Sequence, residues 1–390
     1  MIPLAIPYVD EKEADAASNV IRSGWLTQGP VVANFEKEFA LYCGAKHGIA
    51  VSNCTSGLHL ALRAVGVKHG DEVILPSLSY IATANAVRYC GGIPCFVDVL
   101  KESRNLNPHL VENAITEKTK AILCVHQMGM PCNLHELGII SEKYSIPLIE
   151  DAACAAGSEI KLKTKWQKIG KPVGKIAVFS FHPRKVITTG DGGMITTNDD
   201  QIASNLRLWR QHGMSVSDVI RHNSREVRNE TYDCLGYNYR MTDIQAAVGR
   251  EQLTKLNKIV NIRRNVAQKY NELLDSISEI EAPIEEYDCR SNWQSYSIML
   301  LKTKNISKIR QQMLSNGIAT RNGIMCAHSE KVYQNEPCTW SGKSDGHKLY
   351  LPVSEDIMNH TIILPLHHQL MENNICFIVE KLKEAILKDN

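Results

Sequence analysis

The sequence predicts an α/β protein whose large domain has a mostly parallel seven-stranded sheet flanked by helices and whose smaller C-terminal domain is α+β. In the first half, short apolar runs alternate with segments of helical periodicity, as in a parallel sheet covered on both faces. After Met241 a proline-free helical pattern covers residues 243–277. The 390 residues suffice for two buried cores. We place the large domain at residues 1–250 and the small domain at 251–390.

The individual elements follow from run length and periodicity. Seven apolar runs predict the strands of the large domain, at 47–52, 72–76, 93–99, 120–129, 145–152, 176–182 and 193–199. Helices are predicted between them at 55–67, 80–90 and 133–144. The small domain has predicted strands at 295–301 and 360–365 and predicted helices at 305–317 and 375–388. The polar segments 162–175 and 212–234 are predicted to be loops.

The composition argues against several classes of partner. The 44 basic and 42 acidic residues give a net charge of +2, so no nucleic-acid or anionic-membrane surface is predicted. No apolar run approaches the ~20 residues that cross a bilayer, and no basic segment precedes the apolar N-terminus. We therefore expect a cytoplasmic protein. The 12 cysteines include no C-x-x-C pair, which favours reduced thiols, and no metal site is expected.

An acid and a lysine follow two of the predicted strands. Asp151 ends the run SIPLIEDA, and Lys185 lies just beyond IAVFSFH, before three glycines at 190, 192 and 193. Ligands bind at the carboxyl ends of parallel strands, although a lone acid there can also cap a helix. A lysine can form a Schiff base with an aldehyde cofactor, and an acid that protonates a pyridine nitrogen makes pyridoxal 5'-phosphate (PLP) an electron sink. The pair Asp151 and Lys185 provides both groups.

The segment SNCTSGLHLAL is a candidate phosphate site. Thr55, Ser56 and Gly57 stand between a predicted strand and a predicted helix. Hydroxyls and backbone N–H groups at a helix N-terminus suit a dianionic phosphate. Taken alone, the segment is better interpreted as an ordinary Thr/Ser helix cap.

Seven sequence blocks together resemble the DegT/DnrJ/EryC1/StrS sugar aminotransferases, which are fold-type I PLP enzymes. In order they are SGWLTQGPVVANFEKEFA, SNCTSGLHLAL, DEVILPSLSYIATANAV, IPLIEDAACAAG, FSFHPRKVITTGDGG, LGYNYRMTDIQAAVG, and LPVSE with LPLHH. The resemblance covers nearly the whole chain. It implies PLP as the cofactor, L-glutamate as the amino donor and a nucleotide-linked keto-sugar as the acceptor.

The resemblance also implies roles for single residues. Lys185 would hold the cofactor and shuttle the proton, and Asp151 would face the pyridine nitrogen. Tyr80 would stack on the cofactor ring. The phosphate would be bound by Thr55, Ser56 and Ser180, and by Asn238 of a neighbouring subunit, which requires a homodimer with shared active sites. Substrate contacts are expected from His182, Arg240, Arg321 and His328.

The sequence departs from the family pattern at three places. The Gln or His usual three residues after the acid is Cys154, a weak hydrogen-bond partner for the cofactor's ring oxygen. The usual GEGG contains Asp191 in place of Glu. Lys175 replaces an acid before the strand that leads to Lys185, which makes it a rival for the Schiff-base role. We favour Lys185 because it occupies the family's position beside the glycines.

The expected reaction is ping-pong transamination that yields an amino-sugar for glycan biosynthesis, with amination at C4 favoured over C3. Family members with histidine at the Lys185 position are dehydratases, so the lysine favours transamination. Aminocyclitol aminotransferase, aminohydroxybenzoate synthase and a non-catalytic PLP-binding regulator remain alternatives. A nicotinamide dehydrogenase is excluded because no G-x-G-x-x-G follows the first strand. The basic segments 162–175 and 221–228 are candidates for contact with the diphosphate.

Overall fold

A computed structural model describes residues 1–216, 221, 224, 226–227, 229–301, 305–340 and 350–388. The helices are α1 (Glu11–Ser23), α2 (Pro30–Cys43), α3 (Cys54–Ala64), α4 (Ala82–Tyr89), α5 (Pro108–Ala114), α6 (Leu134–Tyr144), α7 (Asp200–Trp209), α8 (Asp243–Leu274), α9 (Ile306–Ser315), α10 (Lys331–Asn335), α11 (Pro352–His360) and α12 (Glu372–Leu387). The longer strands are β1 (His47–Val51), β2 (Glu72–Pro76), β3 (Ile93–Val97), β4 (Thr119–Val125), β5 (Leu148–Asp151), β6 (Glu159–Leu162), β7 (Lys165–Lys168), β8 (Ile176–Ser180), β9 (Gly193–Thr197), β12 (Tyr296–Leu300) and β15 (Thr361–Leu364). Four two-residue strands complete the set: β10 (Ile280–Glu281), β11 (Cys289–Arg290), β13 (Arg321–Asn322) and β14 (Thr339–Trp340).

The central sheet has the strand order β1-β9-β8-β5-β4-β2-β3-β14. Strand β9 runs antiparallel to both of its neighbours, β1 and β8, and all other described pairs in this sheet are parallel. The seven strands predicted from apolar runs are all present, which confirms the mostly parallel α/β class. The sheet has eight strands rather than the predicted seven, because β14 pairs in parallel with β3 at the sheet edge. Two residues are too few to produce a recognisable alternation of apolar and polar side chains.

Both faces of this sheet are buried under helices, as the continuous apolar runs predict. One face packs an aromatic group around Phe39, which contacts Phe35, Phe179 and Phe181 edge-on or nearly so. The other face packs α3 closely against β8. A Cβ on Gly57 would lie only 2.6 Å from Val178 Cγ1, so glycine permits this approach. The packing sets the N-terminus of α3 beside the end of β8.

The C-terminal region is the predicted α+β unit. Its antiparallel sheet has the order β10-β12-β15-β13 and packs its own apolar core against α8 and α12. Helix α8 begins at a capping box formed by Thr242 and Gln245, and it leads from the large sheet into this unit. The boundary predicted between residues 250 and 251 falls inside α8 and stays a prediction.

The predicted loop 162–175 is wrong over residues 165–168, which form a strand, whereas residues 169–175 contain no strand or helix. Residues 159–168 form a hairpin, β6 and β7, which continues into β11 as a three-stranded sheet. Its tight turn places Lys163 at φ 56°, without the Asn-Gly or Gly signals that identify such turns in a sequence. In the predicted loop 212–234, Arg225 and Arg228 lie outside the described residues, whereas Arg221 pairs with Glu230.

Among the helices that the structure describes, none combines the length and the apolar character that spanning a membrane requires.

Candidate active site

A cavity of about 960 Å³ opens at the carboxyl ends of the central strands. The start of α3 and the ends of β5 and β8 form one wall, and the C-terminal α+β unit forms the other. The structure brings nine of the twelve predicted site residues to this cavity: Thr55, Ser56, Tyr80, Asp151, Cys154, Ser180, His182, Lys185 and Arg321. Residues far apart in the sequence therefore meet in one place, as the strand-end argument predicts.

Asp151 is a buried carboxylate at the end of β5. It is 4% exposed and accepts two hydrogen bonds, from Thr83 Oγ1 (2.9 Å) and from the backbone N–H of Ala153 (3.1 Å). Among the described residues it forms no ion pair within 4.0 Å. Burial raises its pKa above the ordinary 3.8, against the lowering effects of these hydrogen bonds and of Lys185. A cationic group bound beside Asp151 would relieve this cost.

Lys185 and Cys154 are in direct contact, with Nζ 3.1 Å from Sγ. Burial lowers the pKa of the lysine, but the Cys154 sulfur, Cys54 and Asp151 outweigh it, so the pKa stands above 10.5. The side chain of Asn292 fixes the Cys154 loop, because Nδ2 donates to the carbonyl oxygens of Cys154 and Ala156, each at 2.8 Å. The residue that departs from the family pattern therefore lies beside the predicted cofactor-binding lysine.

The N-terminus of α3 forms the candidate phosphate site. Asn53 caps the helix, because its Oδ1 accepts from Ser56 N at 2.9 Å. The hydroxyl of Ser56 is within 3.2 Å of Ser52 Oγ. Thr55 is half-buried and lines the cavity, as does Ser180 at the end of β8. The segment is therefore a capped helix start, with Asn53 rather than a Thr or Ser as the cap, and it faces the cavity. Its binding of a phosphate stays a prediction.

The side chains of Tyr80 and His182 lie at the rim of the cavity. Tyr80 is 62% exposed in the single chain. His182 Nδ1 accepts from the backbone N–H of Arg184 at 3.2 Å, and burial together with Arg184 lowers the pKa of His182. Lys175, the rival lysine, is exposed at the start of β8, at the opposite end of that strand from Ser180.

Three predicted residues do not line the cavity of their own chain. Asn238 is exposed and Arg240 is half-buried. Their segment lies near the phosphate site, since Tyr239 O accepts from Ser52 N at 2.8 Å. His328 is buried, and its ring contacts Ser77 Oγ (2.5 Å) and Glu355 Oε1 (3.1 Å). This geometry gives no support to a substrate contact by His328.

Sequence reasoning missed several cavity residues. Thr83 lies inside α4, three residues after Tyr80, and only the fold brings its hydroxyl to Asp151. Gln294 and Arg310 also line the cavity, and neither belongs to one of the seven sequence blocks. No local signal singles out Thr83, because the same helix also contains the polar residues Asn85 and Arg88.

The described residues contain one group of three side chains whose ligand atoms all lie within 4.8 Å of one another, Glu286, Asp288 and Cys289. None of the three lines the cavity.

The fold and this site define a fold-type I PLP-dependent aminotransferase. A lysine and a buried acid share one cavity with a helix N-terminus, on a sheet of the expected topology. The sequence model of the DegT/DnrJ/EryC1/StrS aminotransferase family matches residues 7–383, and the chain belongs to that family. The family is PLP-dependent and includes sugar aminotransferases.

Similar proteins agree over nearly their full lengths. GDP-perosamine synthase of Caulobacter vibrioides is 35% identical, over 99% of this chain and 98% of that protein. The spore coat polysaccharide biosynthesis protein SpsC of Bacillus subtilis is 31% identical over 99% and 97%. The structure of S. venezuelae DesV in complex with a ketimine intermediate superposes with a TM-score of 0.86, at 29% identity and 98% coverage of both chains. The PLP-form of the putative sugar aminotransferase Spr1654 from Streptococcus pneumoniae gives 0.89, at 26% identity and 100% and 99% coverage.

Proposed function

We propose that this protein transfers the amino group of L-glutamate to a nucleotide-linked 4-keto-6-deoxy sugar and so makes an amino-sugar for glycan biosynthesis. The observation that carries the proposal is the single cavity that Lys185, Asp151 and the start of α3 share. Relatives named GDP-perosamine synthase support a GDP-linked acceptor as the first to test. SpsC, named for spore coat polysaccharide, supports a product destined for a surface glycan.

The residues present fit PLP. Asp151 is a buried acid with two hydrogen-bond donors and no described cation within ion-pair distance, so a protonated ring nitrogen is a suitable partner. Thr55, Ser56 and Ser180 are placed to bind the phosphate, and Tyr80 to cover the ring. Lys185 would hold the cofactor covalently. When bound, PLP supplies an electron sink for the carbanion that forms at the reacting carbon.

The chain's own chemistry is proton transfer by Lys185. With the cofactor bound, its Nζ would take the proton from Cα of the amino donor as general base and then return a proton as general acid. In the second half-reaction the same Nζ carries a proton in the opposite direction, to the acceptor carbon of the sugar. Asp151, which Thr83 holds in place, would favour a protonated ring nitrogen in a bound cofactor.

A homodimer completes the site in this proposal. Asn238 is exposed and Arg240 half-exposed, on a segment that adjoins the start of α3. Tyr80 is also largely exposed in the single chain. A second copy that covers this rim would place its Asn238 at the phosphate and its Arg240 at the substrate.

The first experiment is the absorption spectrum of the purified protein before and after L-glutamate. We expect a visible cofactor band that L-glutamate converts to the amine form, and borohydride reduction that fixes the cofactor on the peptide containing Lys185. The variant Lys185→Ala is the matched control and should retain neither the covalent attachment nor the conversion. A cofactor band that L-glutamate leaves unchanged contradicts the donor or the reaction class.

The second experiment identifies the acceptor. The protein in its amine form is mixed with GDP-, UDP- and dTDP-linked keto-sugars and with free cyclitol ketones, and the return of the visible band is followed. Return with a nucleotide-linked sugar supports the proposal. Return with a free cyclitol ketone alone would support the aminocyclitol alternative instead.

A further inference from the structure

The wall that the C-terminal unit contributes to the cavity is mostly apolar. It carries Ile324, Met325, Met358, Ile363, Leu364 and Leu366. Two guanidinium groups, on Arg310 of α9 and Arg321 of β13, interrupt this surface together with Asn322. Arg310 is half-buried and Arg321 is exposed, and both side chains line the cavity.

Arg310 is held in one orientation. Its Nη1 donates to Asn322 Oδ1 at 2.7 Å and its Nη2 to Thr320 O at 3.4 Å. Its Nε is buried and has no hydrogen-bond acceptor among the described residues. Because the side chain is already ordered, a ligand that it binds would pay little of the usual cost of fixing an arginine.

Neither guanidinium is neutralised by the part of the chain that the structure describes. Other arginines are paired, such as Arg88 with Glu336 (2.9 Å) and Arg250 with Glu38 (2.7 Å). No described carboxylate lies within 4.0 Å of Arg310 or Arg321. The acids that line the cavity are Asp151, Asp191 and Glu330, against the cations Arg184, Lys185, Arg310 and Arg321.

We propose that Arg310 and Arg321 form an oxyanion subsite. Hydrogen bonds already orient the Arg310 side chain, whereas the Arg321 side chain has no hydrogen bond to a described residue. This inference rests on the proposed function, in which both substrates carry oxyanions: the donor its carboxylates and the acceptor its diphosphate. A guanidinium fork matches either group through two parallel hydrogen bonds. Asn322 and Thr320 act as positioning groups for Arg310.

The test uses the cofactor-loaded protein and two unreactive probes, maleate as a dicarboxylate and GDP as a nucleoside diphosphate, titrated by calorimetry. Removing one charged hydrogen-bonding partner predicts about 10- to 100-fold weaker binding of one probe in Arg310→Gln. Loss of maleate binding alone assigns the subsite to the donor carboxylate. Loss of GDP binding alone assigns it to the diphosphate. Both results support the subsite.

Two further variants keep the test interpretable. Arg321→Gln changes an exposed side chain for which the structure records no hydrogen bond, so folding should be unaffected while the same probe binds more weakly. Lys383→Gln removes an exposed cation on α12 outside the cavity and should bind both probes as the parent protein does. Parent protein that binds neither probe, or Arg310→Gln and Arg321→Gln variants that bind both unchanged, would overturn the subsite. The spectral response of the parent protein to L-glutamate decides the proposed function separately.

Discussion

Replacing Thr83 with valine should weaken cofactor binding without changing the shape of the site. Thr83 is 2% exposed, and its hydroxyl donates to Asp151 Oδ2 at 2.9 Å and lies 2.8 Å from Ser79 Oγ. Valine preserves the volume and the β-branch but removes the hydroxyl. Asp151 then keeps only the N–H of Ala153 as a partner.

The magnitude follows from the charge on the acceptor. A hydrogen bond to a charged group contributes about 1.5–3 kcal/mol, and each 1.36 kcal/mol is about a factor of ten. Losing the bond destabilises the ionised carboxylate that a protonated ring nitrogen requires. We therefore expect PLP to bind roughly 10- to 100-fold more weakly to Thr83→Val.

The assay is a titration of PLP into the cofactor-free protein, followed by absorbance. Thr83→Ser is the matched control, because it keeps the hydroxyl and loses only a methyl group. It should bind PLP close to the parent affinity. Parent-like affinity in Thr83→Val, or equal losses in both variants, would refute the assignment of Thr83 as the residue that holds Asp151.

Three other changes have defined outcomes. Burial raises the pKa of Asp151, and this destabilising cost is absent below pH 3.8, grows as the pH rises from there and is full only above the raised pKa; cofactor-free Asp151→Asn should therefore melt above the parent at pH 7 and lose that advantage near pH 4, and an advantage independent of pH would contradict this. Cys154→Ala should lower the pKa of Lys185, because the sulfur is one of the groups that together outweigh burial and raise that pKa, and the pH profile of cofactor attachment should move to lower pH; an unmoved profile would show that the thiol does not act on the lysine. Gly57→Ala should destabilise the fold by about 1–3 kcal/mol in denaturant unfolding, since the new Cβ would lie 2.6 Å from Val178 Cγ1; addition of Val178→Ala should recover part of the loss, and no recovery would place the strain elsewhere.

The large-domain strands could be predicted because their signal is local. Each buried strand is a short apolar run, and β2 coincides with its predicted range 72–76. Because Asp151 and Lys185 follow strand ends, the sequence predicted that they lie close to one site. Both line the same cavity, and their roles stay predictions. The hairpin 159–168 was missed because Lys163 occupies the left-handed turn position, where sequence rules look for glycine or asparagine.

The rest of the site depends on contacts between distant segments. Thr83 reaches Asp151 across 68 residues, and Arg310 is oriented by Asn322 on the next strand. Neither relation leaves a periodicity or a motif in the sequence. His328 shows the opposite case: its position in the chain suggested a ligand contact, but the fold uses its ring to bind Ser77 and Glu355.

Asp151 and Lys185, the two principal residues of the site, do not form an ion pair with each other, and the charges of the site explain why. Asp151 and Lys185 influence each other's pKa, yet the hydrogen bond of Lys185 goes to Cys154 and those of Asp151 go to Thr83 and Ala153. A direct ion pair between them would satisfy both charges, and it would also consume the lysine nitrogen and the carboxylate that a bound group needs. Because each is instead held by weaker, neutral partners, a bound group with one cationic and one aldehyde function would satisfy both at once. The empty site lacks the stabilisation that pairing of these two charges would give, and a bound cofactor would supply it. Saturating PLP should therefore raise the melting temperature of the parent protein, and raise it less in Asp151→Asn.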